Sequence, residues 1–386
     1  MAPAVLDLRT ADDPRDVVHR AVQALAEGKL VALPTETVYG VAASALNEKA
    51  VQRLAEIKGR RPDQPFALAI KSVEDALDYV PEFPLLAQRL ARRCWPGPLT
   101  LVFDDTHPES LVRQLPKSVQ NLVSPKGTVG LRVPAHDLVL AVLRLTAGPL
   151  ALTSANMTGE EDTVTAEQVI QSLGDSVDLV LDDGRSKFGQ PSSVVRVHQN
   201  SLSILRRGVI SEHSLRQLAS LMIAFVCTGN TCRSPMAEVM MRARIAERFK
   251  CRPDELDKHG VIVFSAGIAA MAGRRASPEA VEIMRETGLE LGEHESQPLS
   301  ERLVRFADVL FAMTRGHLDG IVAQWPAAAS RTVLLSRDGA DIADPIGGTS
   351  EMYRRCARQI DRQLELWLED RDFQALLADP GLGSDK

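Results

Sequence analysis

The sequence predicts an α/β protein of two domains: a twisted α/β-sheet domain followed by a doubly wound parallel-sheet domain. Three observations carry this. The chain has 386 residues, more than one ordinary hydrophobic core holds. Short apolar runs alternate with helical periodicity along its whole length. The second half repeats strand then helix, the pattern of a parallel sheet with crossover helices. The boundaries fall at residues 1–210 and 221–386, with residues 211–220 as the linker.

Taken in order, residues 15–27 place Val17, Val18, Ala21, Val22 and Leu25 at helical spacing, with Gly28 as the stop. Residues 30–33 form a short apolar strand and residues 50–57 a helix. Residues 130–133, 149–153, 178–181, 193–197 and 203–205 read as strands. Residues 211–220 are polar and helical. Beyond them, strands at 223–226, 261–264, 309–312 and 333–335 alternate with helical segments. No internal repeat is visible, and residues 379–386 read as a frayed end.

Bulk properties narrow the function classes. Hydrophobic residues make up 45% and charged residues 25%, as in a soluble globular protein. A net charge of −6 gives no general footprint for nucleic acid, although a local basic patch stays open. The cysteines, Cys94, Cys227, Cys232, Cys251 and Cys356, are odd in number and scattered, which argues against a disulfide framework. Their spacing suits no zinc site. No signal peptide and no membrane-length apolar stretch is visible. A reducing cytoplasm and no membrane partner are expected.

The sharpest local signal is Cys227-Thr228-Gly229-Asn230-Thr231-Cys232-Arg233. It follows the apolar run Met222-Ile223-Ala224-Phe225-Val226 and leads into Ser234-Pro235, read as N-cap and first helical residue. A loop feeding a helix N-terminus turns backbone N–H groups and the positive dipole end toward an anion. The same field favours a thiolate at Cys227. Arg233 adds a planar fork that can grip two phosphate oxygens. Together they describe phosphoryl transfer to sulfur. A structural cysteine beside a surface arginine is the plainer alternative, and the strand–loop–helix context argues against it.

The first half offers hydroxyls, cations and small polar groups near its turns. Pro34-Thr35-Glu36-Thr37-Val38-Tyr39-Gly40 follows a strand, and Lys58-Gly59-Arg60-Arg61-Pro62 closes a helix. Thr153-Ser154-Ala155-Asn156, Pro191-Ser192-Ser193-Val194 and Ile204-Leu205-Arg206-Arg207-Gly208 follow or end strands. Singly, each reads as a turn, a cap or dipole compensation. Together they describe a site for a polyphosphate and a small polar ligand.

From Cys227 to Pro235 the chain carries C-x5-R-S-P in full, and in this it resembles the low-molecular-weight protein-tyrosine-phosphatase family. The resemblance continues through residues 263–267 and 288–296 to Asp344-Pro345, and implies the doubly wound parallel sheet. It implies Cys227 as nucleophile, Arg233 as phosphate ligand and Asp344 as proton donor to the leaving group. Thr228, Gly229, Asn230, Thr231, Cys232 and Ser234 complete the phosphate loop. Ser234 would support the thiolate, Asn230 the loop's shape, and Cys232 a reversible disulfide with Cys227. No cofactor is implied. Tyrosine-specific members carry aromatic residues after Asp-Pro, whereas this chain has Ile346-Gly347-Gly348 and Thr231. Both features resemble the protein-arginine-phosphatase branch. That places phosphoarginine above phosphotyrosine as the protein substrate, with a small phosphate ester or a vestigial role left open.

The first half resembles the threonylcarbamoyl-AMP synthase (YrdC-type) family from about residue 28 to residue 210, which implies a YrdC-like twisted α/β sheet. The residues that carry this are PTETVYG, KGR, WPGPLT at 95–100, VGLRVP at 129–134, TSAN and ILRRG. The resemblance implies condensation of L-threonine, bicarbonate and ATP, with Mg²⁺ on the phosphates, for the threonylcarbamoyladenosine modification of tRNA. It implies Lys58, Arg60, Thr100, Ser154, Asn156 and Arg206 as ATP ligands. It implies Thr35, Arg132 and Ser192 as threonine ligands. Partners in tRNA modification follow from the same likeness. Arg61, Phe66 and the pair Ser192-Ser193 depart mildly from the family pattern. Two rival readings are an RNA-binding module in the first half and a non-catalytic scaffold in the second. The assembled motifs speak against both.

Overall fold

The computed structural model describes residues 2–59 and 64–378. Arg60 and Arg61 lie outside the described residues. The chain divides into two compact units, Met1–Leu215 and Arg216–Lys386. The division falls inside a helix, Glu212–Ala219, where the sequence places its polar linker.

The first unit is built on a ten-stranded mixed sheet. Its strands are β1 (Ala4–Asp7), β2 (Val31–Leu33), β3 (Gly40–Ser44), β4 (Ala67–Ala69), β5 (Leu99–Asp104), β6 (Thr128–Arg132), β7 (Leu150–Ser154), β8 (Leu179–Asp182), β9 (Ser193–His198) and β10 (Ser201–Arg206). They run in the order β1-β8-β2-β3-β7-β4-β6-β5-β9-β10. On one face, the helix Pro14–Ala26 lays Val17, Val18, Ala21 and Leu25 against Val31, Leu33, Ala42, Leu152 and Leu181. Asp13 caps that helix by accepting from the Arg15 N–H at 2.9 Å, and Pro14 fits its first turn.

Register brings distant motifs together. Antiparallel pairing of β3 with β7 sets Gly40 opposite Ser154, so the turn after β2 lies beside the TSAN loop. Parallel pairing of β5 with β9 sets Leu99 opposite Ser193, one residue from both Thr100 and Ser192. β4 pairs with β6 at Ala69 and Arg132.

The second unit has a parallel sheet of β11 (Leu221–Cys227), β12 (Val261–Gly267), β13 (Val309–Ala312) and β14 (Thr332–Leu334), in the order β12-β11-β13-β14. β11 is buried along its whole length. Leu221, Ile223, Phe225 and Cys227 face one core, with Met236 of the helix Arg233–Phe249 and Ile360 of the helix Ser350–Glu369. Ala224 and Val226 face the other, with Val304 and Ile321. Both faces are therefore covered, as a doubly wound sheet requires. Strand order reverses at β11, and the chain leaving its carboxyl end opens into the crevice that such sheets use for ligands.

Candidate active sites

In the first unit a cavity of about 850 Å³ collects the residues singled out from sequence. Thr35, Lys58, Thr100, Arg132, Ser154, Asn156, Ser192 and Arg206 all line it. Lys58 is the C-cap of the helix Glu48–Ile57. Its Nζ turns away from that helix and donates to the Ser154 carbonyl at 3.0 Å and to the Asn156 carbonyl. Ser154 Oγ donates to Asn156 Oδ1 at 2.6 Å, and Asn156 Nδ2 donates to the Glu160 carbonyl at 2.7 Å. The TSAN loop is thus locked, with an ammonium held at its mouth.

Across the cavity, Thr100 Oγ1 and Ser192 Oγ lie 3.1 Å apart. Arg206 donates to the Ser192 carbonyl at 2.8 Å and to Ser192 Oγ at 3.0 Å. Burial lowers the Arg206 pKa, with a smaller push from the like charge of Arg132. Arg132 donates to Glu36 Oε1 at 2.7 Å and to Thr37 Oγ1 at 2.9 Å. Its Nε is buried with no partner among the described residues. Sequence reading credited Arg132 but gave Glu36 no task. Glu36 holds that guanidinium in place and also accepts from the Ala135 N–H at 3.0 Å.

In the second unit the helix begins at Arg233, with Cys232 as its N-cap and no side-chain capping bond. This corrects the expectation that Ser234 caps the helix. Ser234 sits inside the first turn, its Oγ 3.0 Å from Cys227 Sγ. The helical backbone already begins one residue earlier, at Arg233, which puts Ser234 past the capping position. The Asn230 N–H donates to Cys227 Sγ at 3.2 Å. Asn230 takes a left-handed backbone, φ 54°, which asparagine tolerates better than most residues. Its Nδ2 donates to Ser234 Oγ at 2.9 Å and to Ser265 Oγ at 2.8 Å, while its Oδ1 accepts from the Gln297 N–H at 2.9 Å. The loop's shape is thereby fixed by one buried side chain.

Arg233 is buried and donates to Asp344 Oδ2 and, at 3.3 Å, to the Ile342 carbonyl. Asp344 remains part-exposed and accepts from the Ile346 N–H at 3.2 Å. Thr231 is half-buried, with its carbonyl accepting from the Ser277 N–H at 2.9 Å. Cys232 Sγ lies 3.4 Å from Ser277 Oγ and from Tyr353 Oη. All five cysteines are free thiols. Burial pushes the Cys356 thiol up to about 12, which makes it a poor nucleophile.

Sequence reading missed His317. Its Nε2 lies 2.9 Å from Thr228 Oγ1 and its Nδ1 2.9 Å from Thr314 Oγ1, the N-cap of the helix Arg315–Gln324. Burial lowers its pKa, and the nearby Arg233 lowers it further. A neutral ring here braces the second residue of the loop. No local motif marks it, since Thr228 and His317 are 89 positions apart.

Residues 23–208 match the family model Sua5/YciO/YrdC, described as telomere recombination, and residues 222–377 match the low molecular weight phosphotyrosine protein phosphatase model. A threonylcarbamoyl-AMP synthase of Idiomarina loihiensis is 31% identical over 193 residues, which is 49% of this chain and 96% of that protein. A protein-arginine-phosphatase of Geobacillus stearothermophilus is 38% identical over 148 residues, 37% of this chain and 90% of that protein. The chain belongs to both families, one in each half. The synthase unit is also 39% identical over 182 residues to a threonylcarbamoyl-AMP synthase of Pyrococcus abyssi, across 47% of this chain. The chain spans only about half of that relative's length, 51%. Among the described residues no helix is long and apolar enough to cross a membrane.

Proposed function

We propose that the chain is a bifunctional enzyme. The synthase unit makes threonylcarbamoyl-AMP from L-threonine, bicarbonate and ATP, for modification of tRNA. The phosphatase unit hydrolyses protein phosphoarginine through a cysteinyl-phosphate intermediate. For the first unit, the supporting observation is that Lys58, Arg132 and Arg206 share one cavity with Thr35, Thr100, Ser154, Asn156 and Ser192. Cations suit a triphosphate, and the Arg132 guanidinium in the cavity wall suits the threonine carboxylate. Mg²⁺ is expected to arrive on the ATP phosphates rather than in a protein-built cage. Carboxylated threonine then attacks the α-phosphorus and pyrophosphate leaves. The residues contribute position and charge neutralisation.

For the second unit, the supporting observation is Cys227 Sγ held between Ser234 Oγ and the Asn230 N–H. The sulfur attacks phosphorus and the leaving nitrogen takes a proton from Asp344. Water then attacks the cysteinyl phosphate, with Asp344 taking its proton. Ser234 and Asn230 stabilise the departing thiolate. The Geobacillus stearothermophilus relative and the exposed Ile346, which offers no ring to sandwich a phenol, favour phosphoarginine over phosphotyrosine. The test is twofold. Pyrophosphate release should require both threonine and bicarbonate. The ratio of kcat/KM for phosphoarginine over phosphotyrosine peptides should exceed one. A ratio below one makes the unit a tyrosine phosphatase.

A further inference from the structure

Residues 313–317, from the end of β13 into the helix Arg315–Gln324, join the two parts of the proposed phosphatase chemistry. On one side they hold the strand and loop that carry the nucleophile. The Met313 N–H donates to the Val226 carbonyl at 3.0 Å, and His317 Nε2 lies 2.9 Å from Thr228 Oγ1. Val226 and Thr228 are the two chain neighbours of Cys227. On the other side the same residues hold the segment that carries the acid. The Ile342 N–H donates to the Met313 carbonyl at 2.8 Å, and the Arg315 N–H donates to Asp341 Oδ1 at 2.7 Å. Asp344 follows directly in that segment. One short bracket therefore carries anchors for both Cys227 and Asp344.

The partners of the buried His317 ring place its hydrogen. Thr314 Oγ1 is the N-cap that accepts the His317 N–H at 3.2 Å, and it lies 2.9 Å from Nδ1. Burial and the nearby Arg233 favour the neutral ring, which has one N–H and one acceptor nitrogen. The Thr314 hydroxyl has a hydrogen of its own to give, and Nδ1 takes it. The ring hydrogen then sits on Nε2 and goes to Thr228 Oγ1. Thr228 is pinned from the β12 side as well, where its carbonyl accepts from the Ala269 N–H at 3.0 Å. The bracket matters most with substrate bound. In the free protein Asp344 pairs directly with Arg233. That guanidinium is also the proposed phosphate ligand, so a bound phosphoryl group competes with Asp344 for it. Once the pair loosens, the backbone anchors and His317 set the reach from the acid to the leaving atom, and proton transfer needs hydrogen-bond reach. We propose that His317 is a positioning residue of the phosphatase unit, which through Thr228 keeps the phosphate loop in register with the segment that carries Asp344. The inference rests on the proposed roles of Cys227 and Asp344 and adds to them a residue that no motif marks.

The test uses the full chain and two esters whose leaving groups differ in their need for a proton: p-nitrophenyl phosphate, which needs little help, and phenyl phosphate, which needs more. The quantity read is kcat/KM, because it reports the transfer to Cys227 and not the later hydrolysis of the cysteinyl phosphate. His317→Ala should lower kcat/KM for phenyl phosphate by roughly tenfold or more, a part of the 10²–10⁴ that a positioned acid supplies, and for p-nitrophenyl phosphate by less than about threefold. Loss of folded protein lowers both by one factor, so the ratio of the two separates positioning from stability. His317→Gln, whose amide N–H can stand in for the Nε2–H, should move the ratio back toward the wild type. Thr228→Val keeps the shape and removes the hydroxyl, so it should reproduce the His317→Ala ratio, and the double variant should add little to either single change. Equal declines for both esters in His317→Ala, a wild-type ratio in Thr228→Val, or no recovery in His317→Gln overturns the proposal and leaves the phosphatase reading in place. A wild type that cleaves neither ester overturns both.

Discussion

Lys58 ends a helix, where a cation ordinarily answers the dipole. Here its ammonium instead spans to carbonyls of Ser154 and Asn156, so it is buried at the cavity wall, and the proposed reaction has it exchange those partners for phosphate oxygens. Lys58→Ala should therefore cost about 2–4 kcal/mol of transition-state stabilisation, the scale of one preorganised donor, or roughly 30- to 1,000-fold in rate. Threonine-dependent pyrophosphate release measures this, with the thermal midpoint as the control for folding. Unchanged release removes Lys58 from the site. On the proposed phosphoarginine activity, Thr231 is the residue expected to set substrate choice in the phosphatase unit. Thr231→Ile should leave aryl phosphate cleavage intact and lower phosphoarginine hydrolysis by roughly tenfold to a hundredfold, the worth of one polar contact. The phosphoarginine-to-phosphotyrosine ratio of kcat/KM reads it, and a ratio that does not move refutes the role. At this scale the loop from Cys227 to Arg233 and the hydroxyls that line the first cavity were legible because each sits in a contiguous motif. Glu36 and His317 were not, because the task of each is set by a partner 96 or 89 positions away.

Strands buried on both faces lose the alternation that betrays a strand in sequence. β3 is such a case, a run of Gly40, Val41, Ala42, Ala43 and Ser44 with almost no exposed position, and sequence reading passed over it. β5 was quoted only as part of a motif. β11 was legible because its run is long, apolar and followed by Gly229 and Asn230. Its neighbour β12 ends at Gly267, opposite Cys227, and the chain stays paired with the loop beyond it, through the Ile268 N–H on the Cys227 carbonyl and the Ala269 N–H on the Thr228 carbonyl. A Cβ on Gly267 would sit 2.5 Å from the Thr228 carbonyl oxygen and 2.9 Å from the Asn230 nitrogen. Both are backbone atoms, so Gly267→Ala must displace the loop. About 1–3 kcal/mol of stability should be lost, together with a fall in phosphatase kcat, and urea midpoints with steady-state rates measure the two. Full retention of both would mean the loop accommodates the methyl. The helix Arg315–Gln324 contributes a pH dependence through His317, whose native pKa lies below its ordinary value of 6.5. Between the native and ordinary values the unfolded chain binds a proton that the native chain refuses. Stability therefore falls as pH drops through about 6.5 and continues to fall until the native ring also protonates. The phosphatase unit's urea midpoint should decline over that window in the wild type and decline less in His317→Asn. Equal declines would place the dependence elsewhere.

The molecule carries separate hydrophobic cores. Val17, Leu33, Ala42 and Leu181 belong to the core of the synthase unit. Phe225, Met236, Phe311 and Ile360 belong to that of the phosphatase unit. The cavity residues of the first site all precede Arg207, and the loop, His317 and Asp344 of the second all follow Val226. Each site is thus assembled wholly within one unit, which is why motif reading worked half by half. Ligand linkage then makes a definite demand. A ligand at about 100 times its Kd stabilises the state it binds by about 2.7 kcal/mol. For a unit of 150–250 residues, each kcal/mol moves the melting midpoint by roughly 2–4 °C, so the shift should be roughly 5–10 °C. ATP with L-threonine should raise one calorimetric transition by that amount and leave the other in place. Vanadate, which binds as a covalent phosphoryl mimic on the Cys227 sulfur, should do the reverse, and its effect should vanish in Cys227→Ser while the ATP and threonine shift survives. Two ligand-addressed transitions would establish that the units unfold independently. A single transition that rises with either ligand would show instead that the units unfold as one cooperative body, and mutational effects on one activity would then have to be corrected for stability contributed by the other half.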